Sequence, residues 1–253
     1  MTHSLIVRSL ILVGTLLLSS CSAPQETPPP ELVRFGGMHE AIGLGQHGGR
    51  VLLSDLTSRP HFYGVGALQG LHGEITIDGS RAVVTSYSAS GSLEALSPEN
   101  RQATMLVGQS IENWSTQTIA EPIGADALDA TMKRLVEKSG FPAVGPLVFV
   151  IEGEFRDVRL HVINGACPVH ARMQKLEIPE EARPFELETP TITGKLVGIY
   201  AQDAVGKLTH PATSVHAHLI FEDEATGLEV TGHLERFGVA AGAVVHLPKA
   251  GGE

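Results

Sequence analysis

Two short stretches decide the fold of this chain, VHAHLIF at residues 215–221 and TGHL at residues 231–234. Side chains at positions i and i+2 of a strand point to the same face, so His216 and His218 present two imidazoles side by side. A hairpin return then brings His233 opposite them. The pattern predicts two neighbouring strands that carry three histidines on one face.

Three neutral imidazole nitrogens with an open fourth position form a common ligand set for catalytic zinc. We therefore predict that His216, His218 and His233 hold a metal ion, with Zn2+ as the expected metal. Two solvent-facing histidines on an amphipathic strand are the alternative for His216 and His218 taken alone. The third histidine, placed after a glycine, disfavours that alternative.

A thiol and further histidines leave a second metal open. Cys167 and His170 follow the predicted strand at residues 155–163, and His210 precedes the triad. Soft sulfur beside imidazole suits copper as well as zinc. A buried, small apolar residue is the ordinary interpretation of Cys167, and the sequence leaves the roles of Cys167, His170 and His210 open.

Alternating and β-branched runs dominate the rest of the chain and predict a mostly antiparallel sheet. Asp78-Gly79 predicts a hairpin turn. One helix is expected over residues 127–138, with Asp126 as its N-cap. Four strands follow, at residues 191–200, 214–222, 229–237 and 243–247. The expected fold class is α/β, of the α+β kind, with a mainly antiparallel or mixed sheet in two halves and few helices.

The chain is expected to begin with an export signal. A positive charge precedes a short apolar run that ends in LSSC, so residues 1–20 resemble a lipoprotein signal peptide with Cys21 as the lipidated residue. The predicted organisation is then a tether at 21–37, an N-terminal half at 38–178, a connector at 179–190 and a metal-binding half at 191–253. The expected location is the bacterial cell envelope, on the periplasmic face of the outer membrane in a Gram-negative cell.

Charge and cysteine content exclude some classes of partner. The formal net charge is −10, and no basic stripe is available to neutralise phosphates, so nucleic acid is not an expected partner. The chain has two cysteines. If Cys21 carries lipid, Cys167 has no partner for a disulfide.

Further segments stand in a recognisable order with the histidines. They are GALQGLHGE at residues 66–74, LSPENRQAT at 96–104, FVIEGEFRDV at 149–158 and TGKLVG at 193–198. With the H-x-H…G-H signature, this order resembles the α-acetolactate decarboxylase family from about Gly43 to Leu247. The small PPC-type domains share a similar histidine pattern, but that resemblance covers only the last 60 residues or so.

The resemblance implies the site and its reaction. His216, His218 and His233 match the family's metal ligands, and Glu74 matches its site glutamate, here the expected proton donor. The family's arginine, expected to hold the substrate carboxylate, is replaced by His161, and Arg159 lies two residues before it on the same strand face. The segment between His218 and His233 is longer than in the family.

The expected function is metal-dependent decarboxylation of 2-acetolactate, or a related 2-hydroxy-3-oxo acid, to acetoin and CO2. His161 or Arg159 would orient the substrate carboxylate. The alternative is a non-catalytic zinc- or copper-binding envelope lipoprotein. The resemblance also implies a homodimer, and Cys21 implies attachment to a membrane.

Overall fold

The computed structural model describes residues 31–139, 141, 145–204, 207–209 and 213–249. The predicted signal peptide, Cys21 and His210 lie outside the described residues. None of the helices in the described part of the chain has the length and apolar character needed to span a membrane.

The first sheet is built from the N-terminal part of the described chain. Its strands are β1 (Val33–Phe35), β2 (Val51–Leu52), β3 (Phe62–Leu68), β4 (Glu74–Asp78), β5 (Arg81–Tyr87), β6 (Leu93–Leu96) and β7 (Gln102–Ser110). Their order is β1-β7-β3-β4-β5-β6, with β2 also paired to β7, and the pairs are antiparallel. Strand β1 shows that the end of the predicted tether at 21–37 joins the sheet.

The second sheet follows. Its strands are β8 (Trp114–Thr118), β9 (Leu147–Val162), β10 (Phe185–Tyr200), β11 (Val215–Glu222), β12 (Glu229–Val239) and β13 (Val244–Pro248). The order is β10-β11-β12-β9-β13-β8, and β10 also pairs with β9. Strands β9, β10, β11 and β12 therefore form a closed ring of antiparallel pairs. The mainly antiparallel fold expected from the sequence is confirmed.

Short helices connect the strands. The α-helices are α1 (Leu53–Thr57), α2 (Leu128–Ser139) and α3 (Pro168–Gln174). The described residues also contain a π-helical turn at His39–Gly43 and 3-10 turns at Gln69–Leu71, Ala125–Ala127, Glu180–Ala182 and Gln202–Ala204.

The turn and the helix predicted from local sequence signals both form, with small shifts. The β4–β5 hairpin has Gly79 and Ser80 as its two loop residues, both with positive φ, because Asp78 still pairs with Arg81. The prediction that Asp126 caps the main helix was wrong. Asp126 lies inside the 3-10 turn that leads into α2, whereas an N-cap residue needs an extended backbone.

The two sheets pack through an apolar layer. Val65 and Val107 of the first sheet meet residues of β9 and β10 such as Val150 and Val197. The outer face of the first sheet packs on α1, and a third cluster holds α2 against the second sheet. The space between the sheets is therefore filled largely by apolar side chains.

The sequence placed a solvated connector at 179–190. In the structure this segment contains a 3-10 turn and then the first residues of β10, which pair with the end of β9 from Phe185↔Val162 onward. The chain instead leaves the first sheet at Ser110 and enters the second sheet at Trp114. These pairings describe sheets rather than domains, so the division of the chain into two halves at 179–190 stays a prediction.

Candidate metal centre

Three adjacent strands place imidazoles in one row. His218 on β11 pairs with His233 on β12, and His233 pairs in turn with His161 on β9. Residues directly opposite each other in a ladder point to the same face, and His216 joins that face from position i−2. The two neighbouring histidine strands predicted from the sequence are confirmed, and β9 adds a fourth imidazole.

Three of the four imidazoles form a compact group. The ring centroids of His216, His218 and His233 lie 5.0 to 5.3 Å apart, and one ligand atom from each lies within 4.8 Å of the others. All three side chains are buried. This is the only group of three or more metal-ligating side chains found in the described part of the chain.

The protonation of the group suits a metal ion. The Nδ1 of His216 lies 3.0 Å from the carbonyl oxygen of Leu208, which can only accept, so Nδ1 donates and Nε2 carries the lone pair. The Nδ1 of His218 is buried. Burial, followed by the nearby His216 and His161, holds the pKa of His218 well below its usual range. Neutral imidazoles are the form that a metal requires.

Glu74 faces the imidazoles from the first sheet. It opens β4, and its carboxylate Oε2 lies 3.7 Å from Nε2 of His218 while Oε1 lies 3.9 Å from Nε2 of His161. Oε1 also accepts a hydrogen bond of 3.3 Å from the backbone N–H of Ile163. Burial raises the pKa of Glu74 to about 8, although that hydrogen bond opposes the shift. The structure thus brings Glu74, the residue that the resemblance matched to the family's site glutamate, close to the triad.

His161 faces the same cluster of buried side chains but lies outside the compact group of three. Its ring centroid is 4.8 Å from that of His233, and its Nδ1 lies 2.8 Å from Oε1 of Glu235. The second carboxylate oxygen of Glu235 accepts from Arg172 of α3. Burial alone would raise the pKa of Glu235, but the hydrogen bonds and charges of His161 and Arg172 lower it overall.

The sequence interpretation missed Glu235. Its position two residues after His233 on a predicted strand was the available signal, since i and i+2 share a face. The interpretation did not use that signal, because the strand's path beyond His233 was unknown.

Arg159 takes a different position from the other predicted residues. Its Nη2 lies 2.7 Å from Glu188, its Nε lies 3.9 Å from Glu235, and the side chain is about two-fifths exposed. The described contacts of Arg159 include neither Glu74 nor the triad. The structure therefore brings Glu74, His161 and the three ligands together and leaves Arg159 outside this cluster.

Cys167 is not part of the metal group. The residue is buried as the N-cap of α3, and burial raises the pKa of its thiol to about 11. A thiol that keeps its proton is a poor metal ligand. His170 lies one turn further on in α3 and is also outside the group.

Comparisons with known proteins give the family and the fold of the chain. The sequence pattern of the family described as alpha-acetolactate decarboxylase matches residues 37–248. A comparison with curated protein sequences gave no match.

Solved structures share the fold. A Staphylococcus aureus protein, described as of unknown function and similar to alpha-acetolactate decarboxylase, is 17% identical with a TM-score of 0.63, over 85% of this chain and 84% of that chain. The alpha-acetolactate decarboxylase of Bacillus subtilis strain 168 is 14% identical with a TM-score of 0.63, over 86% and 85%. The family pattern spans most of the sequence and both structures have the same architecture. The chain belongs to the α-acetolactate decarboxylase family.

Proposed function

We propose that this protein is a zinc-dependent decarboxylase that converts 2-acetolactate, or a related 2-hydroxy-3-oxo acid, to acetoin and CO2. The observation that carries the proposal is the buried triad of His216, His218 and His233 facing the carboxyl group of Glu74. Family membership adds the reaction class. Three imidazoles with an open fourth position are a common ligand set for catalytic zinc.

The triad would hold the ion and leave a position open for substrate. When bound, Zn2+ would draw electron density from the hydroxyl and keto oxygens of the substrate. The bond between C2 and the carboxylate carbon breaks, CO2 leaves, and the electron pair moves towards the keto group. Carbon then needs a proton, and Glu74 is the acid that faces the pocket.

His161 is the group that we propose for orienting the substrate carboxylate. It is buried in the cluster and lies 3.9 Å from Glu74, whereas Arg159 is engaged by Glu188 outside the cluster. An imidazole offers one hydrogen bond where an arginine offers two, so the grip on the carboxylate is weaker. Arg159 remains the second candidate for this role.

The test is release of CO2 from 2-acetolactate by the purified full-length chain. We expect EDTA to abolish release and added Zn2+ to restore it. His218→Gln should lose both zinc and activity, whereas His246→Gln, outside the metal group, should keep both. A fully zinc-loaded protein that releases no CO2 would contradict the proposal.

The rival function is a non-catalytic envelope protein that binds zinc or copper through Cys167 and the triad. No observation favours it, because Cys167 lies outside the metal group. Elemental analysis separates the two functions. We expect Cys167→Ser to contain as much zinc as the native chain, whereas the rival predicts loss of metal.

We also propose that lipid on Cys21 attaches the protein to the cell envelope. The support is the LSSC sequence after a short apolar run. In the native host, Cys21→Ser should move the protein from the membrane fraction to the soluble fraction and should abolish labelling by a fatty acid. The homodimer is likewise a proposal from family resemblance, and sedimentation of the purified chain tests it.

A further inference from the structure

A buried carboxylate holds His161, the imidazole that stands outside the metal group. Glu235 belongs to β12, where the pairing with β9 changes register: Leu234 pairs with Leu160, but Arg236 pairs with Arg159. Glu235 is therefore the extra residue of a β-bulge. Bulges next to active sites re-aim side chains, and here the bulge directs a carboxylate at His161.

The contacts of Glu235 fix the orientation of the ring. Oε1 lies 2.8 Å from Nδ1 of His161, and Oε2 accepts from the guanidinium of Arg172. The Glu235 side chain is only 9% exposed, so water does not compete strongly for either oxygen. Both carboxylate oxygens are occupied, and the carboxylate cannot rotate without breaking a bond.

Arg172 supports the arrangement from a second side. Its Nη1 lies 2.6 Å from Oε1 of Glu186, and Glu186 is the residue that pairs with His161 across β9 and β10. One guanidinium from α3 thus joins the two glutamates that flank His161 on neighbouring strands. Through Glu235, Arg172 links the His161 ring to α3 as well as to the second sheet.

The contact with Glu235 fixes which ring nitrogen of His161 carries the hydrogen. A carboxylate that accepts at Nδ1 requires the hydrogen on Nδ1, and this leaves Nε2 turned to the pocket, 3.9 Å from Glu74. Carboxylate–histidine pairs of this kind set the ring orientation in many catalytic sites.

We propose that Glu235 is the positioning residue of this enzyme: it holds His161 so that Nε2 meets the substrate beside Glu74, with Arg172 as its brace. The proposal rests on the proposed function for its catalytic consequence. The pair Glu235–His161 then presents to the substrate a ring whose direction is set by its neighbour.

The direct test is the NMR signal of the Nδ1–H proton of His161 in the zinc-loaded, full-length chain. A proton shared with a carboxylate resonates far downfield, and His161→Gln assigns the signal by its loss. We expect Glu235→Ala to abolish the signal and Glu235→Gln to move it upfield. Glu229→Gln is the matched control, because Glu229 lies on the same strand and pairs with the exposed Arg81.

Kinetics supply the second readout. Glu235→Gln should lower kcat for 2-acetolactate by about 10- to 100-fold, the usual range for a residue that orients an active-site group. The zinc content should stay the same, and Glu229→Gln should keep the native kcat. Glu235→Gln preserves the shape of the side chain, so it serves the test even where Glu235→Ala does not fold.

Two results would overturn the positioning role. One is a downfield signal of His161 that persists in Glu235→Ala, and the other is a kcat for Glu235→Gln equal to that of Glu229→Gln. A chain that shows the predicted signals but releases no CO2 would instead contradict the proposed reaction alone. Glu235 would still hold His161 in that case.

Discussion

Single side chains carry the chemistry of the pocket, and burial decides the protonation of two of them. Burial raises the pKa of Glu74 to about 8 and the pKa of the Cys167 thiol to about 11. Both groups keep their protons near neutral pH. In Glu74 the retained proton lies beside the imidazoles, where a reaction needs an acid, whereas in Cys167 it makes the sulfur inert.

Cys167 should therefore react slowly with iodoacetamide in the folded protein. A pKa of about 11 instead of 9.0 lowers the thiolate fraction at pH 8 about 100-fold. Mass spectrometry of a Cys21→Ser variant, with and without urea, measures the rate at this one thiol. Equal rates in the folded and unfolded chain would contradict the assignment.

The same shift predicts how the thiol affects stability. The folded pKa lies above the ordinary value of 9.0, so its contribution to stability is fully present below pH 9 and is lost as the pH rises through about 11. Cys167→Ser has no such titration. Urea unfolding at several alkaline pH values should show a smaller loss of stability for the variant than for the native chain over that window.

Individual strands set the register of the site, and part of that register was predictable. His216, His218 and His233 were found from the sequence because i, i+2 spacing and a short hairpin are local signals. His161 entered only through family resemblance, since no local signal tells which distant strand will pair with β12. The i+2 position of Glu235 after His233 was a usable local signal, but the bulge that aims its carboxylate at His161 depends on the partner strand.

The entry into β4 depends on a glycine. Gly73 precedes Glu74 with φ of +136°, and a Cβ there would lie 2.1 Å from the carbonyl oxygen of Thr85. We expect Gly73→Ala to lower the free energy of unfolding by more than about 2 kcal/mol, since it combines strain with a backbone clash. Urea denaturation measures this change.

Gly124 provides the matched control for Gly73. Its φ is −70°, and a Cβ would meet nothing within 4 Å. Gly124→Ala should leave the urea midpoint close to that of the native chain. Equal free energies of unfolding for Gly73→Ala and Gly124→Ala would contradict the close approach of Gly73 to Thr85.

A buried polar contact joins the two sheets of the molecule. Thr85 of the first sheet accepts a hydrogen bond of 2.7 Å from the backbone N–H of Thr231, and the hydroxyls of Thr76 and Thr231 lie 2.5 Å apart. Strand β9 begins to pair with β12 only from His233, so the N–H of Thr231 has no strand partner on that side. The threonines therefore satisfy a backbone group that the ladder leaves open.

Thr85→Val should weaken this contact without changing the shape of the side chain. The buried N–H of Thr231 would lose its acceptor, at a cost of about 1–3 kcal/mol. The exposed Thr118 on β8 is the control, and Thr118→Val should be nearly neutral. Equal unfolding free energies for the two variants would show that the contact between the sheets contributes little.

Metal binding should stabilise the entire fold, because the ligands come from two strands of the closed ring. A ligand that binds only the folded state, at 100 times its Kd, adds about 2.7 kcal/mol. We expect Zn2+ to raise the Tm of the EDTA-treated chain in a concentration-dependent way. His218→Gln should show no such rise, and a rise equal to that of the native chain would place the ion elsewhere.

For the whole molecule, the sequence predicted the fold class but not the residues at which one sheet ends and the other begins. The run of β-branched strands indicated antiparallel sheets, and the family resemblance indicated the architecture. The acidic, proline-containing segment at 179–190 favoured a connector. Pairing with the end of β9 draws part of that segment into β10, and such a tertiary contact has no signature in local composition.

The ladder through His218, His233 and His161 also constrains how the gene can vary in length. Removing one residue inside Val215–Glu222 would turn the side chains beyond that point to the opposite face of the sheet and separate the ligands. The turn at 223–228 lies beyond the paired residues and is free of that restriction. Insertions inherited in this hairpin are therefore expected at the turn.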